Sequence, residues 1–256
     1  GRRHMVGLSV KSGAMGAPDG SWGGSDARPA ATRNFLAYSL KRLGVDHIDI
    51  YRPARLDPVV PIEEVIGGVA DMVKAGYVRH IGLSEVGVET IRRAAKVHPI
   101  VDLQIEHSLV TRGPEEKIFP ALAELGISAT LYGIFSRGLL TGGKSKGKGD
   151  FRAYLPRFTG DNGRKNAAVV ERVARFAEER GMTPGQLAVA WERAKVPALL
   201  PVPGVKTRQQ LADVLGALDK PLSAADVTAL EKLVPADAVR GTRYGADAMA
   251  HLDSEK

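Results

Sequence analysis

The chain has 256 residues, of which 44% are hydrophobic, and it carries a formal net charge of +7 with a pI of about 9.6. This length suits one barrel-sized domain or two small ones. No apolar run reaches the ~18 residues of a membrane span, and no secretory leader is visible. With no cysteine, disulfides and thiolate metal sites are excluded, and a reducing cytoplasm is the expected compartment.

The segment Gly76–Ala94 shows the unit from which the chain is built. The apolar run Val78–Leu83 is too short for a helix and predicts a buried parallel strand. A turn, Ser84–Gly87, follows it, and an amphipathic helix begins at Val88. Polar side chains at the carboxyl end of a strand occupy the place where a (β/α) barrel builds its active site, so Ser84 and Glu85 are the first site candidates.

In chain order, strands alternate with helices and with loops rich in glycine and proline. The predicted strands are Met5–Val10 (ending at Lys11), His47–Tyr51, Val78–Leu83, Val101–Glu106, Ile127–Tyr132 and Ala198–Val202. The predicted helices are Pro29–Leu43, Ile62–Ala75, Val88–Val97, Pro114–Leu125, Asn166–Arg180, Pro184–Lys195, Thr207–Leu218 and Ser223–Leu233. Between and after them, Ser12–Ala27 and Gly142–Gly149 are predicted loops, and a polar, loosely attached tail begins at Pro235.

The spacing of roughly 30 residues per strand–helix unit is that of an eightfold barrel. Because six units are predicted, the expected fold is α/β, a (β/α)8 TIM barrel that lacks its first two βα units, or about 60 residues. We expect one domain over residues 1–256, with the barrel at about 1–234 and the tail at 235–256. An open doubly wound sheet is the alternative, but no Gly-x-Gly-x-x-Gly follows the first predicted strand.

Several motifs together resemble one known family, the aldo-keto reductases, and most closely its bacterial branch related to potassium-channel β subunits. They are Ser39-Leu-Lys-Arg-Leu-Gly-Val-Asp46, Pro61-Ile-Glu-Glu64, Gly76-Tyr-Val-Arg-His-Ile-Gly-Leu-Ser84, Ser136-Arg-Gly-Leu-Leu-Thr-Gly142, Pro184-Gly-Gln-Leu-Ala-Val-Ala-Trp191 and Pro201-Val-Pro-Gly-Val-Lys206. The resemblance runs from about Val6 to Leu233. It implies a (β/α)8 barrel that uses NADPH to reduce small aldehydes or ketones without a metal.

The catalytic groups that the resemblance implies are a tyrosine acid, a lysine, an aspartate and usually a histidine. A cation beside the phenol favours proton delivery to the developing alkoxide near neutral pH. Lys11 ends the strand that should carry the lysine, whereas the tyrosine and aspartate would belong to the first two units. Ala54 stands where the histidine would fall, between the cations Arg52 and Arg55.

The cofactor contacts that the resemblance implies follow successive strands. Ser84, Glu85 and Gln104 match the nicotinamide carboxamide site, although many members have asparagine in place of Glu85, and Tyr132 matches the residue that stacks on the nicotinamide ring. The remaining matches belong to the pyrophosphate loop (Gly133, Phe135, Arg137 and Gly138) and to the adenosine 2′-phosphate segment (Gly204, Lys206, Gln210 and Asp213). Lys206 would favour NADPH over NADH, and Val214 stands where asparagine is usual.

Taken singly, these residues have other interpretations. A strand-end lysine such as Lys11 can form a Schiff base or only an ion pair. Ser84 can be a turn or N-cap residue, Gln104 can satisfy backbone groups, and Tyr132 can belong to the core. The lysines of Gly142–Gly149 can form a lid or a solvated loop.

His107 is a candidate for facing the substrate, and no metal site is expected because Asp102 and Glu106 lack further ligands at metal spacing. The basic residues are dispersed and aromatics make up only 5% of the chain, so nucleic acid is not an expected partner. Three functions stay open: an NADPH-dependent carbonyl reductase, a protein that holds NADPH without turnover, and a fragment of a longer barrel. The substrate and the oligomeric state are not readable from the sequence.

Overall fold

The computed structural model describes residues 2–196 and 198–256. Its strands are β1 (Ser9–Ser12), β2 (Ala14–Gly16), β3 (Trp22–Ser25), β4 (Ile48–Pro53), β5 (Val78–Ser84), β6 (Ile100–Glu106), β7 (Ser128–Tyr132) and β8 (Leu200–Pro201). Its α-helices are α1 (Pro29–Leu43), α2 (Ile62–Lys74), α3 (Val88–Val97), α4 (Ile118–Leu125), α5 (Gly160–Glu178), α6 (Pro184–Lys195), α7 (Arg208–Leu215), α8 (Ala224–Leu233) and α9 (Ala246–Ala250).

Over the described ranges, six strands form a parallel sheet in the order β1-β4-β5-β6-β7-β8, and β2 pairs with β3 as an antiparallel hairpin. The parallel register sets Lys11 opposite Arg52 and Ser84 opposite Gln104. A parallel sheet needs cover on both faces, and both strands bury apolar side chains, which are Val78, Ile81 and Leu83 in β5 and Ile100, Leu103 and Ile105 in β6. The alternation of strand and helix therefore gives the α/β fold that the sequence predicts.

The chain divides into two compact units. Unit 1 consists of Gly1–Gln104, Lys117–Ser128 and His251–Lys256, and unit 2 consists of Ile105–Glu116 and Ala129–Ala250. In unit 1 the fully buried residues include Ile48, Ile66, Ile81, Leu83, Ile91 and Leu103; in unit 2 they include Leu131, Leu140, Leu187, Trp191 and Val234. Each such aliphatic side chain contributes roughly 1.5–3 kcal/mol by burial, so each unit has a core of its own.

The helix bounds are predicted best where the sequence carries explicit end signals. The helices α1, α3 and α6 have the predicted bounds. Thr183 caps α6 in a reciprocal capping box with Gln186, and Ser223 caps α8. Gly126 ends α4 with a left-handed backbone, φ 66°, as a glycine C-cap does.

The amino-terminal prediction is wrong in two places. The first strand is Ser9–Ser12 rather than Met5–Val10, because β4 sets its position by backbone hydrogen bonds to the Leu8 carbonyl; Met5 and Val6 are 67% and 55% exposed. Lys11 therefore lies within β1, one residue before its end. The predicted loop Ser12–Ala27 contains the hairpin of β2 and β3.

Other bounds differ where tertiary contacts override local propensity. The predicted helix Pro114–Leu125 divides into a 3₁₀ turn at Gly113–Glu115 and α4. The helix α5 begins six residues before the predicted Asn166, at Gly160. The last strand has only two residues, Leu200–Pro201, since proline lacks the N–H that a longer ladder needs.

The tail is not loosely attached. In unit 2, buried Asn166 donates to the Arg240 carbonyl and accepts from the Arg240 N–H, at 2.9 and 2.8 Å. In unit 1, Leu252 is 2% exposed. These contacts could not be predicted from the sequence, because they are made by single side chains within a polar segment that has no apolar pattern.

Candidate functional site

The strand-end residues of unit 1 include a hydroxyl group that has no partner. Ser84 is 1% exposed, and its Oγ makes no hydrogen bond within the described parts of the chain. Its register partner Gln104 is half-buried and accepts a backbone hydrogen bond from Glu85 at 3.1 Å. A buried polar group without a hydrogen-bond partner costs about 1–3 kcal/mol of stability. Such a group is therefore expected most often where a bound ligand supplies the missing hydrogen bond. This observation fits a bound amide, as in the nicotinamide carboxamide.

The Ser84→Ala substitution tests this role. We expect the free energy of unfolding to stay the same or to rise by up to about 1–3 kcal/mol, because a buried hydroxyl that makes no hydrogen bond is removed. We expect nucleotide binding to weaken about tenfold, since one ligand hydrogen bond is lost. Chemical denaturation and a nucleotide titration measure the two effects. A large loss of stability with unchanged affinity would show that the hydroxyl serves the fold instead.

Glu85 adopts a left-handed backbone, φ 55°, and is fully buried. Its Oε2 accepts a hydrogen bond from the Ser254 hydroxyl at 2.7 Å, and its carbonyl accepts one from the Ser254 N–H at 3.3 Å. A non-glycine residue in this conformation costs of order 1–3 kcal/mol and often marks a functional turn. The structure thus holds the predicted cofactor residue Glu85 against the carboxyl-terminal segment of unit 1.

The same segment caps α3. Asp253 Oδ2 accepts hydrogen bonds from the Gly87 N–H at 2.8 Å and from the Thr90 hydroxyl at 2.7 Å. The N-cap residue, Gly87, has no side chain to satisfy the first backbone donors of this helix. Asp253, which is distant in sequence, therefore caps α3 where the helix follows the Ser84–Gly87 turn.

Replacing Asp253 with alanine is expected to cost about 0.5–2 kcal/mol, the usual value of a helix cap. The Asp253→Asn variant keeps an acceptor and should lose less. Urea denaturation of both variants beside the parent measures the difference. Equal stability of all three would contradict a capping role for the tail.

Lys11 lies among charged residues at the carboxyl ends of β1 and β4. Lys11 is classed as exposed over the whole residue. Desolvation of its amine, followed by the charges of Arg55 and Arg52, nevertheless lowers its pKa to about 8, and the charge of Glu85 opposes this shift. An amine with this pKa exchanges protons near neutral pH. The structure therefore brings Lys11 and Glu85 into one electrostatic environment.

Arg52 is fully buried, although its position in the sequence indicates only a cation near Ala54. It forms an ion pair with Asp102, and it donates to the Ser9 hydroxyl at 2.7 Å and to the Leu83 carbonyl at 3.4 Å. The burial of this pair was missed because a lone Arg in β4 and a lone Asp in β6 carry no joint signal in the sequence.

In unit 2, the predicted stacking residue Tyr132 belongs to a cluster of aromatic and charged side chains. Its hydroxyl lies 3.4 Å from the Tyr244 hydroxyl and 3.5 Å from Arg243. Fully buried Glu106 accepts from Arg137 at 2.8 Å and from Arg243 at 3.3 Å. The Arg137 guanidinium lies 4.4 Å from the centre of the Tyr244 ring. Tyr132 and Arg137 thus belong to one cluster, and no motif in the sequence indicates Arg243 or Tyr244 as members of it.

The loop after β7 has an unusual backbone. Gly133, Ser136, Arg137 and Gly138 have positive φ angles of 73°, 46°, 57° and 89°. A side chain at Gly133 would approach Glu106 Cγ to 2.9 Å, so glycine is required there by both space and conformation. Within the loop, the Ser136 N–H donates to the Gly133 carbonyl at 2.6 Å and the Gly138 N–H donates to the Phe135 carbonyl at 2.9 Å, so these two groups stabilise the turn. The half-buried Phe135 lies in the same loop.

The predicted 2′-phosphate segment surrounds the start of α7. The Gln210 side chain accepts from the Lys206 N–H at 2.7 Å and forms a capping box with Thr207. Asp213 accepts from the Thr183 hydroxyl at 3.0 Å, and buried Val214 replaces the usual asparagine. Gly204 and Lys206 are exposed. The Gln210 and Asp213 side chains therefore have structural partners, whereas Lys206 is an exposed residue directly before the N-cap of α7.

The prediction that His107 faces the substrate is wrong. Its imidazole is fully buried, stacks on Trp191 at 5.3 Å, and meets Glu192 at 2.7 Å and Glu115 at 3.1 Å. Burial lowers its pKa, but the hydrogen bonds to Glu115 and Glu192 and their charges outweigh it, so the pKa is raised. The two carboxyl groups therefore favour the charged form of His107 inside unit 2.

Within residues 2–196 and 198–256, no helix has the length and apolarity needed to cross a membrane. No three His, Asp or Glu side chains in the described ranges converge in the way that a metal ion requires.

Comparison with known proteins places this geometry in context. Residues 2–235 match the Aldo/keto reductase family. The aldo-keto reductase str7 of Strobilurus tenacellus is 36% identical over 261 residues, covering 99% of this chain and 76% of that protein. The structure of a glycerol dehydrogenase from Gluconobacter oxydans superposes with a TM-score of 0.82 at 25% identity, covering 93% of this chain and 75% of the other. The sheet and helices described above are those of a reductase-type TIM barrel.

Proposed function

Because the chain belongs to the aldo/keto reductase family, whose members are oxidoreductases that act on small carbonyl compounds with a nicotinamide cofactor, we propose that it is an NADPH-dependent reductase of aldehydes or ketones. The observation that carries this proposal is the buried, unpartnered Ser84 hydroxyl at the end of β5, opposite Gln104. The motifs quoted above support the branch related to potassium-channel β subunits, and a cytoplasmic location belongs to the same proposal.

In unit 1, Ser84 and Gln104 would hold the nicotinamide carboxamide, with Glu85 in the adjoining turn. In unit 2, taken by itself, Tyr132 is the candidate for stacking on the nicotinamide ring, the Gly133–Gly138 loop for the pyrophosphate, and the segment from Gly204 to Asp213 for the adenosine end. Bound NADPH supplies a hydride for the carbonyl carbon. The contribution of each residue can be tested separately, as Ser84→Ala illustrates.

In this proposal, Lys11 is the group that holds and releases a proton. Its Nζ, with a pKa of about 8, holds a proton at pH 7 and can release it as pH rises. A positive charge at this strand end would stabilise an alkoxide that develops on the substrate oxygen. The neighbouring position Ala54 is buried and carries no proton donor in its side chain.

Lys206 provides the test of cofactor choice. We expect saturable NADPH binding, followed by nucleotide fluorescence or heat, with NADH binding more weakly. Lys206→Ala should lower the NADPH affinity about tenfold and leave NADH nearly unchanged, because a single charge-assisted contact to the 2′-phosphate is removed. Lys232→Ala, a lysine in the last turn of α8, is the matched control. Equal affinities for both nucleotides in the parent would contradict the proposed preference.

A second candidate function is a protein that holds NADPH without turnover, and Ala54 in the place of the family histidine favours it. Carbonyl-dependent oxidation of NADPH over a broad panel of aldehydes and ketones separates the two candidates. Turnover above background supports the reductase. Tight NADPH binding with no turnover supports the holding protein.

A further inference from the structure

We propose that the groove between α5 and α8 is a ligand site for a small carboxylate with an aromatic or aliphatic body. The groove has a volume of about 330 Å³ and is lined by Arg172, Arg175, Phe176, Glu179, Ala229 and Leu233. All six residues belong to unit 2, and none of them is a predicted cofactor or catalytic residue. The site therefore does not depend on the proposed reductase function.

The apolar part of the groove comes from both helices. Phe176 is 7% exposed, and the Arg180 guanidinium lies 3.5 Å from the centre of its ring. Ala229 and Leu233 are four positions apart on α8 and therefore lie on one face of that helix. The volume is at the lower end of the range of roughly 300–1,000 Å³ that is usual for ligand sites, so the groove suits a small organic molecule.

The positive charge of the groove comes from two arginines on one side of α5. Arg172 and Arg175 are three positions apart and are therefore neighbours on the helix surface. Within the described part of the chain, neither guanidinium forms an ion pair with an acidic side chain. Like charges at this spacing repel each other, and an anion bound between them relieves the repulsion.

Arg172 also has an unused hydrogen-bond donor. The residue is half-buried, and its Nε is shielded from solvent while making no hydrogen bond to any residue that the structure describes. An unsatisfied buried donor costs stability. Since the planar fork of a guanidinium matches the two oxygens of a carboxylate, a bound carboxylate can supply the missing acceptor.

Glu179 favours a ligand with a single negative charge. It is the one acidic side chain among the described residues that line the groove, and its carboxylate lies 3.7 Å from Arg180, which also pairs with Asp226 at 2.9 Å. A second charge on the ligand would be repelled by Glu179. A carboxylate is therefore preferred over a phosphate dianion, and the apolar wall favours a hydrocarbon body.

Ligand-observed NMR on the full chain tests the site without nucleotide. The probes are 4-phenylbutanoate, its neutral analogue 4-phenylbutanamide and inorganic phosphate, and we expect the phenylbutanoate to bind about tenfold more tightly than either of the others. Arg172→Gln should weaken its binding about tenfold, because a charge-assisted hydrogen bond is lost. Arg193→Gln is the matched control, since this exposed arginine of α6 does not line the groove; it should bind as the parent does.

Ala229→Trp tests the apolar part of the groove without changing its charge. Because Ala229 is exposed, a larger side chain there can occupy the groove, and we expect binding of 4-phenylbutanoate to be lost. Circular dichroism and thermal unfolding establish that the variants are folded. Arg175→Gln provides a second charge variant, for which about tenfold weaker binding is again expected.

Four results would overturn the proposal: no binding of 4-phenylbutanoate, equally tight binding of either other probe, equal weakening by Arg172→Gln and Arg193→Gln, or unchanged binding in folded Ala229→Trp. None of these measurements requires turnover. An absence of carbonyl reduction would therefore reject the proposed reductase function and leave the carboxylate site in place, so the two proposals fail separately.

Discussion

Replacing His107 with leucine is expected to lower the free energy of unfolding by about 3–5 kcal/mol at pH 6, the usual cost of removing one partner from a buried ion pair. Both ring nitrogens face carboxylates, Glu192 at 2.7 Å and Glu115 at 3.1 Å. A neutral imidazole has only one donor, so this arrangement requires the charged form. Without it, Glu192, which is 1% exposed and already has one unpartnered oxygen, would be a buried charge with no cation beside it.

Further ion pairs connect His107 and its two carboxylates to other charged residues of unit 2. Lys195 bonds Glu115 at 3.1 Å and Glu231 at 3.0 Å, and Glu231 accepts from Trp191 at 3.2 Å. The double variant His107→Leu with Glu192→Gln removes both partners and should recover part of the lost stability. Urea denaturation measures all three proteins, and a loss below about 1 kcal/mol for the single variant would contradict a buried cation.

The stability of the same cluster should depend on pH with a defined sign. The pKa of His107 is raised above its usual value of 6.5, so its stabilising contribution is fully present below about 6.5 and is lost as pH rises through the folded-state pKa. Burial raises the pKa of Glu115, but hydrogen bonds to His107 and Lys195 outweigh this and lower it. That contribution is present above about 4.3 and is lost as acid is added. The cluster is therefore most stabilising between these values, and His107→Leu should flatten the alkaline side of a stability curve.

Replacing Asp102 with alanine has the second large expected effect, also about 3–5 kcal/mol, because it leaves Arg52 as a fully buried cation without its carboxylate. The substituted chain should unfold at a lower urea concentration than the parent. Thermal and chemical unfolding measure the loss. The result would be contradicted if Asp102→Ala were as stable as the parent.

A double variant separates charge from packing at this position. Arg52→Met with Asp102→Leu removes the pair and fills its volume with apolar atoms, which is often neutral or stabilising for a buried ion pair. We expect its unfolding free energy to approach that of the parent. If this variant were instead as unstable as Asp102→Ala, the loss would come from packing and not from the unpaired charge.

Much of the secondary structure could be predicted from local chemistry. Pro29, Thr183 with Gln186, and the glycines after helices mark helix ends through backbone constraints that act within a few residues. Apolar β-branched runs likewise mark β4 to β7. The family could be identified on the same local basis, because its motifs are short contiguous stretches, and the comparisons confirm it.

The arrangement of charges could not be predicted in this way. Asp253 caps a helix that begins 165 positions earlier in the chain, counting from Val88, and Glu192 meets His107 across 85 positions. A single polar residue shows no periodicity, so the family and most strands and helices could be read from local patterns, whereas the β2–β3 hairpin and the pairing of buried charges could not. An ion pair depends on one distance between two side chains, whereas a helix or strand depends on a pattern shared by many neighbouring residues.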